Sequence, residues 1–424
     1  MTAAAITGMG IVCAIGDNVD QLGHALKNGA CGINVLDCVD DPILKKKPGA
    51  MIRDFSLKDL VGRYQSLPSD FYRNFLKATL RAPLGIQISA LTALEAWIDA
   101  GLFHDPPDPE RVGLVVGGNN LNQRFCYRQI DKFRKTPEYL TPRYPLHFMD
   151  TDHVGTVSEI FSIRGEGFSV GGASASGAMA LVKGLQLIRA GAVDACMVIG
   201  ALADLSPLEI QGFCNIGAMG GKQFKDRPAE ACRPFDCRHE GFIYGQGGGC
   251  IIIESLEAQK KRGASSRAYV AGGSIALDGN RLSDPNVDGE TRAMRRALAD
   301  AGIEPSAVDY INTHGTSSPL GDDTEVKAVK QVFADCVSKP WINSTKSLAG
   351  HCLTAAGMVE SIATVIQMSD GFVHPNLNLD EPIDRQLRFA GNRAEDAAIN
   401  VALKNSFGFG GINTSLVFRK KSAS

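Results

Sequence analysis

The chain has 424 residues, of which 44% are hydrophobic and 21% charged, and its formal net charge is −2. This near-neutral charge argues against a nucleic-acid scaffold, which needs a basic face, and no run of about 18 or more apolar residues is present to span a membrane. The 11 cysteines occur singly, without a Cys-x-x-Cys pair, and no basic segment precedes the N-terminal apolar stretch, so the sequence predicts a cytoplasmic protein with neither a disulfide framework nor a metal site.

Short apolar runs alternate with longer segments of helical periodicity along the chain. β-Branched content and length predict strands over 3–8, 113–118, 195–200, 248–254, 269–275, 308–313 and 414–418. The spacing of apolar residues predicts helices over 85–100, 178–190, 290–301 and 322–333. Because strands alternate with helices, we expect a layered α/β fold in which helices cover both faces of the sheet.

Two features organise the chain beyond these elements. The segment 119–152 is polar, aromatic and rich in Arg, Tyr and Pro, which is typical of a long excursion that forms an interface or a lid. Lysine and arginine crowd together after the strand that ends near residue 255. We therefore predict two halves, 1–255 and 256–424, which agrees with a length suited to two or three domains or one duplicated unit.

A serine-rich turn is the first candidate for chemistry. Gly171-Gly-Ala-Ser-Ala-Ser-Gly177 follows a short predicted strand and opens an apolar helix. A serine at this position lies where the N–H groups of a helix N-terminus stabilise negative charge. The simpler interpretation, in which Ser174 or Ser176 only caps the helix, is favoured on this segment alone.

Two histidines and a lysine occur in similar surroundings further along the chain. His314 follows a predicted strand and precedes a Gly/Ser/Thr loop, while Lys346 and His351 lie at the entrance of another helix of small residues. A serine hydrolase would be the generic interpretation of serine with histidine. However, the segment 172–176 is not Gly-x-Ser-x-Gly, and the oxyanion motif of hydrolases is missing.

Four ordered motifs give these residues a context. They are Asn312-Thr-His-Gly-Thr-Ser-Ser-Pro-Leu-Gly-Asp322, Lys346-Ser-Leu-Ala-Gly-His351, Asn405-Ser-Phe-Gly-Phe-Gly-Gly-Ile-Asn413, and Arg233-Pro-Phe-Asp236 with Glu240-Gly-Phe-Ile-Tyr-Gly245. Together they resemble the β-ketoacyl synthases, the condensing enzymes of fatty-acid and polyketide assembly, over residues 6–418. The resemblance implies a thiolase-like duplicated α/β fold of five layers, α–β–α–β–α, and a homodimer.

One position departs from the family, and it decides the predicted reaction. The family's nucleophile is a cysteine at the start of a buried helix, and Ser174 stands in its place. A thiol at a helix N-terminus ionises near neutral pH, whereas an alcohol is far less acidic and needs a dedicated base. Acyl loading, and condensation with it, should therefore be lost, while decarboxylation of a malonyl thioester needs only stabilisation of the enolate oxygen.

The resemblance also implies roles for the residues that match the family's motifs. His314 and His351 would stabilise the enolate, Lys346 would pair with Glu325, and Ser174 would fill the space of the thiol. Supporting and phosphopantetheine-binding positions map onto Thr316 and Ser318, the gate Phe409, and the loop residues Phe407, Gly408 and Gly410. The substrate would be carried on an acyl carrier protein, and the enzyme would need no cofactor of its own.

We therefore predict a decarboxylase that converts malonyl-acyl carrier protein into acetyl-acyl carrier protein, the product feeding an enzyme similar to HMG-CoA synthase. One alternative is an acyltransferase or condensing enzyme in which His351 activates Ser174. A second is an engineered Cys-to-Ser form that traps substrate, and a third is a non-catalytic partner subunit similar to a chain-length factor. Gln246, where the family usually carries glutamate, is a further departure with no role assigned.

Overall fold

The computed structural model describes residues 2–36, 44–64 and 67–420. The strands of this part of the chain are β1 (Ala4–Cys13), β2 (Asn34–Val35), β3 (Pro48–Gly49), β4 (Val112–Gly117), β5 (Gly167–Val170), β6 (Ala195–Gly200), β7 (Gly247–Ser255), β8 (Ala268–Leu277), β9 (Tyr310–Asn312), β10 (Trp341–Asn343), β11 (Phe372–Val373), β12 (Arg388–Phe389), β13 (Glu395–Asp396), β14 (Val401–Gly408) and β15 (Ile412–Arg419). The helices are α1 (Val19–Asn28), α2 (Leu57–Gly62), α3 (Ser69–Thr79), α4 (Leu84–Asp99), α5 (Gln123–Lys135), α6 (Tyr144–His147), α7 (Thr151–Phe161), α8 (Ser176–Arg189), α9 (Pro207–Asn215), α10 (Leu256–Arg262), α11 (Val287–Ala301), α12 (Pro319–Phe333), α13 (Lys346–Ala349) and α14 (Ala356–Asp370).

The central sheet contains the same strand pattern twice. From its middle outward, one side runs β1-β7-β6-β4-β5 and the other runs β8-β15-β14-β9-β10, with β12 at the far edge. In both halves the first two pairings are antiparallel and the next two are parallel. Only three residue pairs join β1 to β8. The topology therefore shows a duplicated unit.

Helices cover both faces of each half and lie between the halves. α8 and α14 pack against each other and against strands of both halves. α4 covers the outer face of β1 and β7, while α11 covers the outer face of β8 and β15, with α12 packed beside α11. Three buried apolar clusters fill the spaces between these layers. The predicted five-layer α–β–α–β–α fold is confirmed.

Glycines allow the two central helices to approach closely. A Cβ on Gly177 of α8 would lie 2.8 Å from the backbone nitrogen of Met358, and a Cβ on Gly357 of α14 would lie 2.5 Å from that of Ala178. Both helices begin after a short 3₁₀ turn, Ala173–Ala175 and Leu353–Ala355. The first residues of these turns have φ of 47° and 49°, a left-handed conformation that is rare outside glycine. The two helix starts are thus structural equivalents.

The predicted elements are found, with two notable differences. β1 extends to Cys13 instead of ending at residue 8, because Gly8 and Gly10 let it lie against α4, where a Cβ on either would come 2.1 Å from a carbonyl oxygen. β14 was not predicted, since Lys404, Asn405 and Ser406 interrupt its apolar pattern. These three polar side chains are buried, so tertiary structure overrides the sequence pattern.

The segment 119–152 leaves the core and returns to it. It contains α5 and α6, and the Asp150 carboxylate closes it by accepting hydrogen bonds from the backbone nitrogens of Asn120 and Leu121 over 2.7 and 2.9 Å. Large apolar side chains are exposed along it: Tyr127, Ile130, Phe133, Tyr139, Leu146, Phe148 and Met149. Its role as an interface or lid stays a prediction.

Among the described residues, no helix is both long and apolar enough to cross a bilayer.

Candidate active site

Ser174, His314 and His351, which are far apart in sequence, line one cavity of about 550 Å³. Ser174 lies in the 3₁₀ turn between β5 and α8, and its Oγ is 2.9 Å from Nε2 of His351. The interpretation of Ser174 or Ser176 as a helix cap is wrong, because no side chain caps the N-terminus of α8. The Oγ of Ser176 instead accepts from the backbone nitrogen of Gly172, which precedes the helix, over 2.9 Å. The Ser174 hydroxyl therefore faces the cavity instead of the helix backbone.

Backbone hydrogen bonding determines which nitrogen of His351 carries the proton. The backbone N–H of Leu353 donates to Nδ1 of His351 over 3.3 Å, so in the neutral ring the proton lies on Nε2. Burial, followed by the positive charges of Lys346 and Lys404, holds the pKa of His351 well below its ordinary value. A neutral His351 consequently donates from Nε2 to the Ser174 oxygen.

His314 has the same proton arrangement through a different partner. Nζ of Lys346 lies 3.4 Å from Nδ1 of His314, and because an ammonium can only donate, the His314 proton lies on Nε2. Burial again lowers the pKa of His314 strongly, helped by the charge of Lys346. The two imidazole rings are 5.5 Å apart and nearly perpendicular. The cavity thus contains two neutral imidazoles that can both act as hydrogen-bond donors.

Lys346 is paired differently from the prediction. Its ammonium donates to Glu360 and to the His314 carbonyl oxygen, and Glu360 lies on α14, directly against α13. The predicted partner, Glu325, instead accepts from the backbone nitrogens of His314 and Gly315, each over 2.8 Å. The prediction of a Lys346–Glu325 pair is therefore corrected: Glu325 holds the loop that carries His314, and Glu360 holds the lysine.

The mouth of the cavity carries the remaining predicted residues, with one exception. Thr316 and Ser318 both line it, and their hydroxyl oxygens are 2.9 Å apart. Phe407 packs edge-on against the His314 ring at 5.8 Å, and Phe409 is exposed at the rim. Gly408 also lines the cavity, and a Cβ there would lie 2.4 Å from the carbonyl oxygen of Gly172.

Gly410 is the exception. It is not among the described residues that line the cavity. Its φ of 86° and the hydrogen bond from its nitrogen to the Leu282 carbonyl oxygen, 3.1 Å long, give it a role in shaping the loop. The prediction that Gly410 contacts the phosphopantetheine arm stays a prediction, and the structure gives this glycine a conformational role.

Sequence reasoning missed two buried charged residues behind the histidines, Glu360 and Lys404. Glu360 is the one acidic residue within α14 before its last position, and Lys404 is the only charged residue of β14. A lone charge inside an otherwise uncharged buried element is a signal that could have identified both, since such charges are rarely buried without a partner.

Gln246 also finds its partners in the structure. Its Nε2 donates to the buried carboxylate of Asp204 over 3.2 Å, and its Oε1 accepts from the backbone nitrogen of Ile52. Burial raises the pKa of Asp204. A neutral amide thus occupies a position where glutamate would bring two carboxyl groups together.

No thiol of the described residues lines the cavity. Ten of the eleven cysteines lie in the described part of the chain, all ten are free, and none of them is among the lining residues. Within the same residues, no group of three or more His, Cys, Asp or Glu side chains is arranged to hold a metal ion. Ser174, His314 and His351 line the cavity, and Lys346 contacts His314 from behind.

Two protein-family models match most of this chain. The model of the β-ketoacyl synthase N-terminal domain matches residues 1–259, and that of the β-ketoacyl synthase C-terminal domain matches residues 267–380. The chain belongs to the β-ketoacyl synthase family.

Individual relatives cover nearly the whole chain. The chain is 38% identical over 411 residues to the polyketide biosynthesis malonyl-ACP decarboxylase PksF of Bacillus subtilis, covering 97% of this chain and 95% of the relative. It is 32% identical to 3-oxoacyl-[acyl-carrier-protein] synthase 2 of Coxiella burnetii, covering 98% of each. Similar solved β-ketoacyl synthase structures include the ishigamide ketosynthase/chain length factor, with a TM-score of 0.87, 26% identity and coverage of 99% of this chain and 100% of that chain. A second is the complex AntDE:AntF, a type II polyketide synthase acyl carrier protein with its ketosynthase, with a TM-score of 0.84, 26% identity and the same coverage.

Proposed function

We propose that this protein decarboxylates malonyl-acyl carrier protein to acetyl-acyl carrier protein in polyketide biosynthesis. The observation that carries the proposal is the pair of neutral imidazoles, His314 and His351, whose Nε2–H groups share a cavity with a serine instead of a thiol. The relative PksF, which is named a malonyl-ACP decarboxylase, supports the same reaction.

The chemistry requires stabilisation of one developing negative charge. The bond between the malonyl carboxylate carbon and C2 breaks, CO2 leaves, and the electron pair forms an enolate whose charge resides on the thioester oxygen. Donation from Nε2 of His314 and of His351 would stabilise this oxygen, at ~3–4 kcal/mol per donor in a water-excluded site. C2 then takes a proton and the acetyl thioester is released.

Ser174 acts in this proposal without forming a covalent bond. A serine nucleophile needs a neighbouring base that accepts its proton, but His351 donates to Ser174 because its Nδ1 already accepts from Leu353. This direction speaks against the acyltransferase and condensing alternatives. It leaves the Ser174 hydroxyl proton able to donate to an oxygen of the malonyl group and so to position it.

A non-catalytic partner subunit would need none of the buried charges behind the histidines. Lys346 and Glu360 are each at most 2% exposed, and burying such a pair is costly unless it is fully hydrogen-bonded. The contact of Lys346 with His314, and of Glu360 with Lys346, supports an active enzyme over a silent subunit. The chain-length-factor alternative predicts no turnover by the isolated protein.

The proposal extends to the phosphopantetheine arm that carries the substrate and to the proteins that would associate with this chain. Thr316 and Ser318 at the cavity mouth would hydrogen-bond the phosphopantetheine arm of the carrier protein, and the rim residue Phe409 would gate access. The exposed apolar side chains of segment 119–152 support a homodimer that buries them, and the halves 1–255 and 256–424 would each contribute to one cavity. An enzyme similar to HMG-CoA synthase would consume the acetyl product.

Mass spectrometry of the carrier protein tests the reaction directly. Incubation of malonyl-loaded carrier protein with the enzyme should remove the mass of CO2 and leave an acetyl group, and the His314→Ala, His351→Ala double variant should lose this activity. His104→Ala, a substitution at an exposed histidine, serves as the matched control. Persistence of the malonyl group with the unmodified enzyme, or full activity in the double variant, would contradict the proposal.

A further inference from the structure

A second lysine lies behind the site, and the chemistry described so far does not use it. Lys404 is in the middle of β14 and is completely buried. It does not line the cavity, so it does not touch a bound substrate. An ammonium group buried at this depth requires partners for all of its protons.

Those partners connect Lys404 to the lysine that orients His314. Nζ of Lys404 forms an ion pair with Glu360, 2.7 Å from its Oε2 but without hydrogen-bond geometry. The same ammonium donates to the carbonyl oxygen of Asn405 over 2.8 Å and to Oγ of Ser406. Lys346 takes the other carboxylate oxygen, Oε1 of Glu360. One carboxylate is therefore shared by two lysines, each of which holds one of its oxygens.

The shared carboxylate determines what Lys346 can do with its remaining protons. With Oε1 of Glu360 satisfied by one bond, Lys346 directs its other donors to His314, at the carbonyl oxygen and at Nδ1. If Oε2 lost its lysine, the unpaired oxygen would compete for Lys346, because both groups are buried. Lys346 would then turn towards Glu360, and Nδ1 of His314 would lose the donor that fixes its proton on Nε2.

The charged groups around Lys404 set the electrostatic environment of the two histidines. Glu360 faces it from α14, Lys346 from α13 and Glu325 from α12, while His314 and His351 lie on the cavity side. The positive charge of Lys404 contributes to the low pKa of both histidines. Two lysines on one carboxylate place a positive charge behind the oxygen that becomes negative during decarboxylation.

We propose that Lys404 is a positioning residue for this decarboxylation, which holds Glu360 so that Lys346 stays on His314 and both histidines stay neutral donors. The inference rests on the proposed function. Because Lys404 does not reach the substrate, its loss should lower kcat and leave KM unchanged. Loss of the Lys404 charge from behind the histidines, in an interior that shields charges only in part, corresponds to a decrease in kcat of about tenfold.

The proposal also predicts the pH dependence. Burial lowers the pKa of Lys404 to about 8, so its positive charge is present below this pH and is lost as pH rises through it. The kcat of the enzyme should therefore fall above about pH 8. In Lys404→Arg the charge persists, because arginine stays protonated across this range, and the decrease should disappear.

The experiment compares the unmodified enzyme with Lys404→Met, Lys404→Arg and the control Lys330→Met, whose lysine forms a partly exposed pair with Asp384. Decarboxylation of malonyl-carrier protein is followed from pH 6 to pH 9.5, and near-ultraviolet circular dichroism verifies folding. The expected result is a kcat about tenfold lower in Lys404→Met with KM unchanged, no alkaline decrease in Lys404→Arg, and an unmodified profile in Lys330→Met. A kcat in folded Lys404→Met equal to that of the unmodified enzyme would overturn the inference.

A measurement without turnover separates this inference from the proposed function. In ¹⁵N-histidine-labelled protein, long-range ¹H–¹⁵N spectra should show the Nε2–H form of His314 in the unmodified enzyme and a mixture of both forms in Lys404→Met. An unmodified enzyme that leaves malonyl-carrier protein intact refutes the function, while the His314 spectra still decide whether Lys404 positions the ring. If neither Lys404 variant folds, a pH profile of the unmodified enzyme that stays flat from pH 7 to pH 9.5 overturns the inference, and an alkaline decrease supports it.

Discussion

His351 donates a hydrogen bond to Ser174 over 2.9 Å, which is the opposite of the direction that activates a serine. The direction follows from a backbone contact, since the Leu353 N–H occupies the other ring nitrogen. Ser174 therefore accepts a hydrogen bond from His351 and does not lose its own proton to it.

Replacement of Ser174 tests whether it takes part covalently. Ser174→Ala should retain decarboxylation within about tenfold, because only one hydrogen bond, worth ~0.5–1.5 kcal/mol, is lost. Ser174→Cys should gain acyl transfer, since a thiol at the start of α8 can ionise. Intact-protein mass spectrometry detects the acyl adduct. An acyl adduct on the unmodified serine would support the nucleophile alternative instead.

Each histidine should contribute separately to the rate. His314→Ala and His351→Ala should each lower kcat by about 10²–10³-fold, the usual cost of removing one donor to a developing oxyanion. Steady-state kinetics with malonyl-carrier protein measures the effect, and His104→Ala should leave kcat unaffected. A decrease in only one of the two variants would show that a single donor suffices.

Acid should destabilise the fold through histidines that are buried in the neutral form. Burial lowers the pKa values of His153 and His374 to about 4, whereas in the unfolded chain both take up protons near pH 6.5. Between these values the unfolded state binds more protons, so stability falls as pH falls from 6.5 towards 4. Thermal melts at pH 7.5, 6 and 5 should show a decreasing Tm. A constant Tm would mean that these rings are protonated in the folded protein.

Gln246→Glu should destabilise the protein. The new carboxyl would lie beside the buried carboxyl of Asp204 and would lack the amide protons that now donate to it. Loss of a buried donor together with carboxyl repulsion should cost about 1–3 kcal/mol, measured by urea denaturation. Gln186→Glu, at an exposed position beside Lys183, is the matched control and should change stability by less than about 0.5 kcal/mol.

The sequence predicted those parts of the fold that local pattern determines. β6 was predicted with its observed bounds, because its β-branched and apolar residues are continuous. β14 was missed because Lys404, Asn405 and Ser406 are polar, and their burial depends on partners from α11, α12, α14 and β15. No local pattern indicates that such partners will be present.

The site was predicted to the extent that motifs specify it. The meeting of Ser174, His314 and His351 in one cavity agrees with the motif resemblance. The partner of Lys346 could not be predicted, because Glu325 and Glu360 are both acidic residues of nearby helices. Only the approach of α13 to α14 decides between them. The proton positions on the two rings likewise depend on contacts that exist only in the folded chain.

The equivalent turns that precede α8 and α14 place a hydroxyl at the same position, but the two hydroxyls have different hydrogen-bond partners. Thr354 in the second turn corresponds to Ser174 in the first, and both residues line the cavity. The Thr354 hydroxyl donates to the carbonyl oxygen of Ala201 over 2.8 Å, whereas the Ser174 hydroxyl faces an imidazole. The two equivalent hydroxyls thus differ in their bonding: that of Thr354 joins the second turn to the chain directly after β6, and that of Ser174 stays within the cavity.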